Sequence, residues 1–481
     1  NTWSAAAIPL GTTVNPINDA PVITALSGTP ATVEQQATPV RLDGDGNVTV
    51  FDRELSGSNW NGANLTVRRS GAVAASDVFS MIDDSGTAGD GSGVEISGGN
   101  LLVDGVNIGS VTNAGGTLSV NFNASATDAL VGKAMGAVAY RNTSDTPPGT
   151  VQINFDLNDR NSNTTGGGTS GGGQNQGGGG QLTTRASVNV AITQVNDAPT
   201  IAFLDAVRTG NYVENGAAIQ IDNNVVLTDP ELDATNWNGA TLTVSRSGGG
   251  NTDDVFGATG SLVLTAGGAV QLAGVTVGSY TQSGGVLSIA FNANATAARA
   301  DQVVQGLTYR NASDDPPASV TLTYTVNDQN PNVAGGGVAG TGVNQGTGGR
   351  LTVTANTTIN ITRSNDAPVL SVAPPAVGYT EQAAPVLVDG GLTLSDIDDS
   401  QMASATVTIG AGGFVTGDTL AVNTAGTGIT ANYNPATGVL TLSGNDSTAN
   451  YQQVLRSLSF SSTSDDPTAN TTRTGRTLTI A

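Results

Sequence analysis

Apolar and polar residues alternate at period two in short runs spread along the whole chain. Residues 118–122 read Leu-Ser-Val-Asn-Phe and residues 287–291 read Leu-Ser-Ile-Ala-Phe. Comparable alternation marks 151–155, 320–324, 188–192 and 357–361. Such runs predict half-buried β-strands, because successive side chains of a strand face opposite sides of its sheet. Glycine pairs, Gly115-Gly116 and Gly284-Gly285 among them, punctuate the runs as turns. Three segments break the alternation. Residues 126–138, 295–307 and 447–458 have helix-compatible spacing behind polar residues suited to cap a helix start, and each predicts a short helix. Many short strands with glycine-rich turns make the chain all-β, with paired sheets forming β-sandwiches.

The pattern recurs in register. The tetrapeptide Asn-Asp-Ala-Pro begins at Asn18, Asn196 and Asn365, spacings of 178 (18 to 196) and 169 (196 to 365) residues. Each copy is followed by a glutamate (Glu34, Glu214, Glu381) and then by an acidic doublet: Asp52-Arg53-Glu54, Asp229-Pro230-Glu231 and Asp396-Ile397-Asp398. Asn59-Trp60-Asn61-Gly62-Ala63 matches Asn236-Trp237-Asn238-Gly239-Ala240, and Tyr140-Arg141-Asn142 matches Tyr309-Arg310-Asn311. Asn158-Asp159-Arg160-Asn161 matches Asn327-Asp328-Gln329-Asn330. Ordered coincidences of this kind define a tandem repeat. The expected units are 18–195, 196–364 and an incomplete third, 365–481. Residues 1–17 stand where the closing strand of a preceding, or a neighbouring subunit's, repeat belongs.

A unit of about 170 residues exceeds a plain immunoglobulin-type sandwich of about 100, and the surplus is visible. Residues 164–181 are nearly all Gly, Thr, Ser, Asn and Gln, and 334–349 correspond to them in the second unit. Such composition is that of a flexible linker. If ordered, it needs partners for its backbone amides, and packing against a neighbouring repeat or subunit is the expectation.

Composition narrows the function. The 481 residues carry 39 acidic and 17 basic side chains, a formal charge of −22, with Lys133 the sole lysine. Nucleic-acid binding is excluded as a class, since phosphate contacts need clustered Lys and Arg. Histidine and cysteine are absent, which removes the usual zinc and copper ligands and the Ser–His and Cys–His catalytic pairs. No apolar run approaches the roughly 18 residues of a membrane-spanning helix. Acids that recur in every unit point to a repeated structural task rather than to a carboxylate pair for glycoside hydrolysis, so no enzyme is expected. Trp60 and Trp237 read as core or sheet-covering residues before they read as sugar platforms. Asp43-Gly44-Asp45-Gly46-Asn47 reads as a plain turn, because the other units lack it.

The linker tetrapeptide, the early glutamate, the spaced acidic doublet and the Asn-Asp-x-Asn segment together resemble bacterial cadherin-like tandem repeats of very large surface adhesins, over essentially the whole chain. That resemblance implies cadherin-like or immunoglobulin-like sandwiches, an extracellular place on a bacterial surface, and Ca²⁺ held at the junctions between units. Carried over by position, the implied ligands are Glu34, Asp52, Glu54, Asp159, Asn196 and Asp197; then Glu214, Asp229, Glu231, Asp328, Asn365 and Asp366; then Glu381, Asp396 and Asp398. The doublet lies closer to the early glutamate than in vertebrate cadherins, so spacing leaves open which junction each group serves. Independently of any family, calcium takes six to eight oxygen ligands and needs neither His nor Cys. Asp and Asn also favour turns and caps, and three copies in register favour the ion. The expected function is a calcium-stiffened fibre or adhesin stalk whose partners are flanking repeats or further copies of the chain. Polymerisation head to tail by strand completion is a sharper form of that expectation. The other class is an adhesive module that recognises glycans or another cell surface.

Overall fold

The computed structural model describes residues 11–82, 93–334, 337–372 and 376–481. Three sandwiches follow one another, and each of the three tetrapeptides leads into one. In the first, an eight-stranded sheet is ordered Ala31–Val33, Thr183–Thr193, Thr150–Asn158, Asn64–Arg69, Thr117–Phe122, Val106–Ala114, Asn100–Val103, Val94–Ser97. A three-stranded sheet of Val40–Arg41, Val138–Asn142 and Asp77–Met81 accompanies it. The buried positions of the alternating strands, Leu65, Val67, Leu118, Val120, Ile153 and Phe155, form one core with Phe79 and Tyr140 of the smaller sheet. The second sandwich repeats this arrangement strand for strand, from Tyr212–Val213 beside Thr352–Thr362 to Leu262–Leu264 at the far edge. The expected strands all form, and each extends a residue or more beyond its alternating core.

Helix α1 (Asp128–Gly136), α2 (Pro230–Ala234), α3 (Ala297–Gln305) and α4 (Thr448–Arg456) interrupt the strands. Of these, α1, α3 and α4 are the expected helices. Thr127 caps α1 and Ser447 caps α4 by accepting a backbone N–H. Helix α2 was not foreseen. It is a single turn opened by Asp229, with Pro230 in its first turn.

Trp60 and Trp237 are wholly buried and donate their indole N–H to Asp128 (2.6 Å) and Asp233 (2.9 Å), which makes them core residues. The Asp43 turn is likewise structural: its carboxylate accepts from Ser27 N and Val48 N. In the Tyr-Arg-Asn segment it is the tyrosine and asparagine that are buried. Tyr140 Oη and Asn142 Nδ2 donate to Asp77 Oδ1 at 2.6 and 3.0 Å, and the arginine that joins them is Arg69, at 2.6 Å. Tyr309, Asn311, Arg246 and Asp254 repeat that network.

The glycine-rich loops fold back on their own sandwich and also reach the end of the segment that precedes it, so the second loop bonds to Gln194 and Val195 of the first unit, in part as expected. Gly178 bridges Ile17 and Thr347 bridges Val195, so each loop clasps the linker that enters its repeat. Asn196 N donates to Thr347 O and Thr347 N to Gln194 O, both at 2.8 Å. Only glycine allows such stacking of backbone on backbone. A Cβ on Gly168 would lie 1.6 Å from Gly179 O, and one on Gly346 would lie 2.7 Å from Gln194.

The third sandwich is smaller. Its larger sheet is, among the described residues, Thr430–Asn434, Val439–Ser447, Gln401–Ile409, Leu478–Ile480. A groove of about 640 Å³, lined by Val386, Leu392, Leu458, Phe460, Leu478 and Ile480 among others, opens into its core. At the other end, residues 1–10 of the segment expected as a closing strand lie outside the described residues. Residues 11–16 form no strand in this chain.

Candidate metal sites at the repeat junctions

Strand direction decides where each acidic motif ends up. Ala31–Val33 runs parallel to Thr183–Thr193, so Glu34 emerges where the chain leaves the first sandwich, its N–H donating to Thr193 O at 2.9 Å. Val22–Thr24 and Thr49–Phe51 are antiparallel, which returns Asp52 and Glu54 to the end where the linker enters. Thr150–Asn158 runs against Thr183–Thr193 and delivers Asp159 to that same entry end. Each repeat therefore carries its glutamate at the exit and its doublet at the entry. Across a junction, the glutamate of one repeat meets the linker and doublet of the next.

At the first junction Glu34 Oε2 accepts from Val195 N at 3.0 Å, and Glu231 Oε2 accepts from Asp197 N at 3.4 Å. Their other oxygens, Glu34 Oε1 and Glu231 Oε1, are buried without a protein partner. Carboxylate oxygens of Glu34, Asp197 and Glu231 lie within 4.8 Å of one another. The second junction has the same plan. Glu214 Oε2 accepts from Ser364 N at 2.8 Å and Asp398 Oδ2 from Asp366 N at 3.0 Å, while Glu214 Oε1, Asp366 Oδ2 and Asp398 Oδ1 lack partners. Here Asp396, Asp398 and Asp399 are the acids that converge within 4.8 Å.

The first acid of each doublet is half committed to its own turn. Asp52 Oδ1 accepts from Glu54 N and Leu55 N, and Asp229 Oδ1 accepts from Glu231 N and Leu232 N. The second oxygens, Asp52 Oδ2 and Asp229 Oδ2, are buried and partnerless. One oxygen fixes the rotamer and the other is left pointing at nothing the protein supplies. Buried carboxylate oxygens without partners cost several kcal/mol as a rule, so their recurrence at matched positions calls for a partner from outside the chain, an ion or ordered water.

Electrostatics agree. Burial pushes Glu34 up to about 7, helped by Asp197 and Asp145, and pushes Glu231 up to about 8, helped by Asp229 and Asp197. Burial also raises Asp52 and Asp229 to about 6, with Asp159 and Asp328 adding their charge. Asp197 and Asp366 are raised as well, again chiefly by burial. Crowded carboxylates titrate this way when no cation stands among them. The donors are carboxylate and amide oxygens throughout, a set that suits a hard divalent ion such as calcium.

The implied ligands thus separate by end. Glu34 stands with Asp197 and Glu231; at the second junction Glu214 holds the linker through Ser364 N and Asp398 through Asp366 N, and the acids that converge are Asp396, Asp398 and Asp399. Asp52, Glu54 and Asp159 gather instead at the entry of the first repeat with Asn18 and Asp19, two residues the positional transfer left out although they begin the first tetrapeptide. Asn18 Nδ2 donates to Asp159 Oδ2 at 2.6 Å and Asp19 N to Glu54 Oε2 at 3.3 Å. Asn196 Nδ2 donates to Asp328 Oδ2 at 2.7 Å. Asn365 is exposed and bonds locally, to Asp366 O. Glu381 is exposed.

No family model matches the chain. A stretch of it is similar to halomucin of Haloquadratum walsbyi (strain DSM 16790 / HBSQ001), 32% identical over an alignment of 206 residues that takes in 37% of this chain and 2% of that protein. The chain thus spans about 2% of the length of that relative. Among solved structures, mouse cadherin-23 EC22-24 matches with a TM-score of 0.27 at 12% identity, covering 89% of each chain. The human desmocollin-1 ectodomain matches at 0.21 and 12%, over 88% of this chain and 54% of that one. The titin domains z1z2 match at 0.18 and 12%, over 72% and 99%. Similarity at these scores carries no argument, and the architecture rests on the strand pairing described above.

Proposed function

We propose that this chain is a stretch of an extracellular, cell-surface fibre or adhesin stalk in which calcium stiffens the junctions between β-sandwich repeats. The observation that carries the reading is the triad of Glu34, Asp197 and Glu231. It draws one ligand from each side of a junction and one from the linker, with partnerless buried oxygens on both glutamates. An ion there ties two rigid bodies and their hinge together, and its loss leaves like charges facing one another. The junction then repels itself and bends. A relative that bears the name of a mucin is in keeping with an extracellular place.

Small-angle scattering and thermal melting of the whole chain, with calcium and with a chelator, test this. Calcium is expected to lengthen and narrow the particle's distance distribution and to raise the melting temperature. Glu34→Gln with Glu231→Gln abolishes the change at the first junction. Identical profiles with and without the ion rule the reading out.

A further inference from the structure

We infer that the second repeat carries a self-association face, on which two copies of the chain pair antiparallel through the edge strand Leu262–Leu264 and fill a groove beside it. None of these residues belongs to a junction, so the inference stands or falls separately from the stiffening reading.

Two sheet edges meet on this side of the second sandwich. Leu262–Leu264 ends the eight-stranded sheet and Asp254–Ala258 ends the three-stranded one. Among the described residues neither strand is paired on its outer side. An edge strand offers a row of unpaired N–H and C=O groups to any strand that comes beside it. Between the two edges lies a groove of about 440 Å³, lined by Gly257, Ala258, Leu262, Val263, Leu264 and Tyr280 among others. Val263 is 50% exposed.

The first repeat shows what has changed. Leu262 pairs with Leu272 as Val94 pairs with Val103, which sets Val263 at the position of Glu95. Ala258 faces Leu307 as Met81 faces Val138, so Gly257 and Ala258 stand where the first repeat has Ser80 and Met81. Met81 packs against the first core, and an alanine in its place leaves that space open. Asp104 and Ala273 open equivalent turns, both with left-handed backbone (φ 49° and 48°). Lys133, which pairs with Asp104 at 2.7 Å, corresponds to Gln302, each the sixth residue of its helix. The first repeat thus carries Glu95, Asp104 and Lys133 around this edge, and the second has Val263, Ala273 and Gln302. Charged side chains along an edge are a device against edge-to-edge pairing. The second repeat has lost the device and gained the groove on the same side.

Charge also says what covers it. With a formal charge of −22, two copies repel unless uncharged surface meets uncharged surface. The longest run of the sequence without a charged residue is 255–298, 44 residues. Both edges and the groove fall inside it except Asp254, which Arg246 neutralises at 2.7 Å. Identical edges paired antiparallel are self-complementary about a twofold axis and form a closed dimer. Three residues a side make a short ladder, so the apolar side chains that cross the axis must fill the space Met81 occupies in the first repeat.

The test is sedimentation velocity of the whole chain from micromolar to sub-millimolar concentration, in chelator, so that junction ions play no part. Val263→Glu restores the charge of Glu95 and Ala258→Met refills the groove, each borrowing the residue that the first repeat carries there. The wild type is expected to dimerise reversibly, and each variant to weaken the dimer about tenfold or more with its melting temperature unchanged. The chain has no cysteine, so Val263→Cys reports the pairing itself, because directly opposed residues of antiparallel strands have Cβ atoms about 5 Å apart. Mild oxidation is expected to link that variant into dimers and to leave Glu95→Cys, at the equivalent edge of the first repeat, monomeric. A wild type that stays monomeric throughout overturns the inference. So does undiminished association of either groove variant, or equal cross-linking of the two cysteine variants.

Discussion

At the scale of single residues, the acids of this chain divide into two populations with opposite chemistry. Asp77 and Asp254 are buried with Arg69 and Arg246 on them at 2.6 and 2.7 Å and have tyrosine and asparagine donors besides. Each carries an arginine of the protein's own, and Asp254 is fully satisfied, whereas Asp77 Oδ2 is buried without a partner. Replacing Asp77 by alanine strands the half-buried arginine and the Tyr140 hydroxyl, and the loss expected for breaking such a pair is about 3–5 kcal/mol. Urea unfolding of the variant checks it, and calcium affinity is expected to stay at the wild-type value. Glu34, Glu231, Asp52 and Asp229 have no cation of the protein's own, and their raised values set a pH dependence. In the ion-free protein these groups keep their protons to about pH 6–8, whereas in the unfolded chain they release them near pH 4. The unfolded state thus binds fewer protons over that interval, and ion-free stability falls as pH rises through it. Calcium requires the deprotonated forms, so its affinity falls as pH drops from 8 to 6. Melting curves in chelator and calcium titrations across pH 5–8 measure both signs.

At the scale of elements, the glycine-rich loop shows most clearly how composition misleads. Its glycines are ordered because loop strands cross at backbone contact distance and because Asn161 and Asn330 donate to loop carbonyls at 2.9 Å. Gly168→Ala places a Cβ 1.6 Å from Gly179 O and is expected to release the loop, seen as faster amide exchange across residues 164–181. Deleting residues 166–180 goes further. It removes Gln176 and the partners of Ile17 and Asn18, and a lower melting temperature of the first repeat is expected. The expected helices were legible from spacing and caps. Helix α2 was not, because a single turn opened by an aspartate shares its Asp-x-Glu-Leu pattern with the plain turn that follows Asp52.

At the scale of the whole molecule, the third sandwich is the informative one. Its open core groove is lined in part by Leu478 and Ile480 of the edge strand, and in the first repeat the matching strand Thr150–Asn158 pairs with Thr183–Thr193, which buries Val188, Val190 and Ile192. Leu10, Thr12 and Val14 precede Asn18 by the same intervals at which those three residues precede Asn196. Strand completion in trans, one form the proposed fibre would take, would seat a strand of that pattern in this groove. A synthetic peptide of residues 183–193 is expected to bind the chain and raise the melting temperature of the third repeat. Absence of binding in calorimetry counts against strand completion.

The period-two alternation, the tetrapeptide spacing and the helical interruptions are local properties of the chain. By themselves they determined the all-β repeat architecture, three of the four helices described and most of the acids that the fold gathers at the repeat ends. Grouping those acids required tertiary structure. The parallel pairing of Ala31–Val33 with Thr183–Thr193, elements some 150 residues apart, is what sends Glu34 to one end of its repeat and Asp52 to the other. Sequence proximity placed these residues in one cluster. Strand direction put them at opposite ends, and so made each junction the property of two repeats. Gln176 and Gln345 carried no signal at all in the sequence, since a glutamine in a polar loop becomes distinctive only when the fold buries it and leaves its oxygen unpaired.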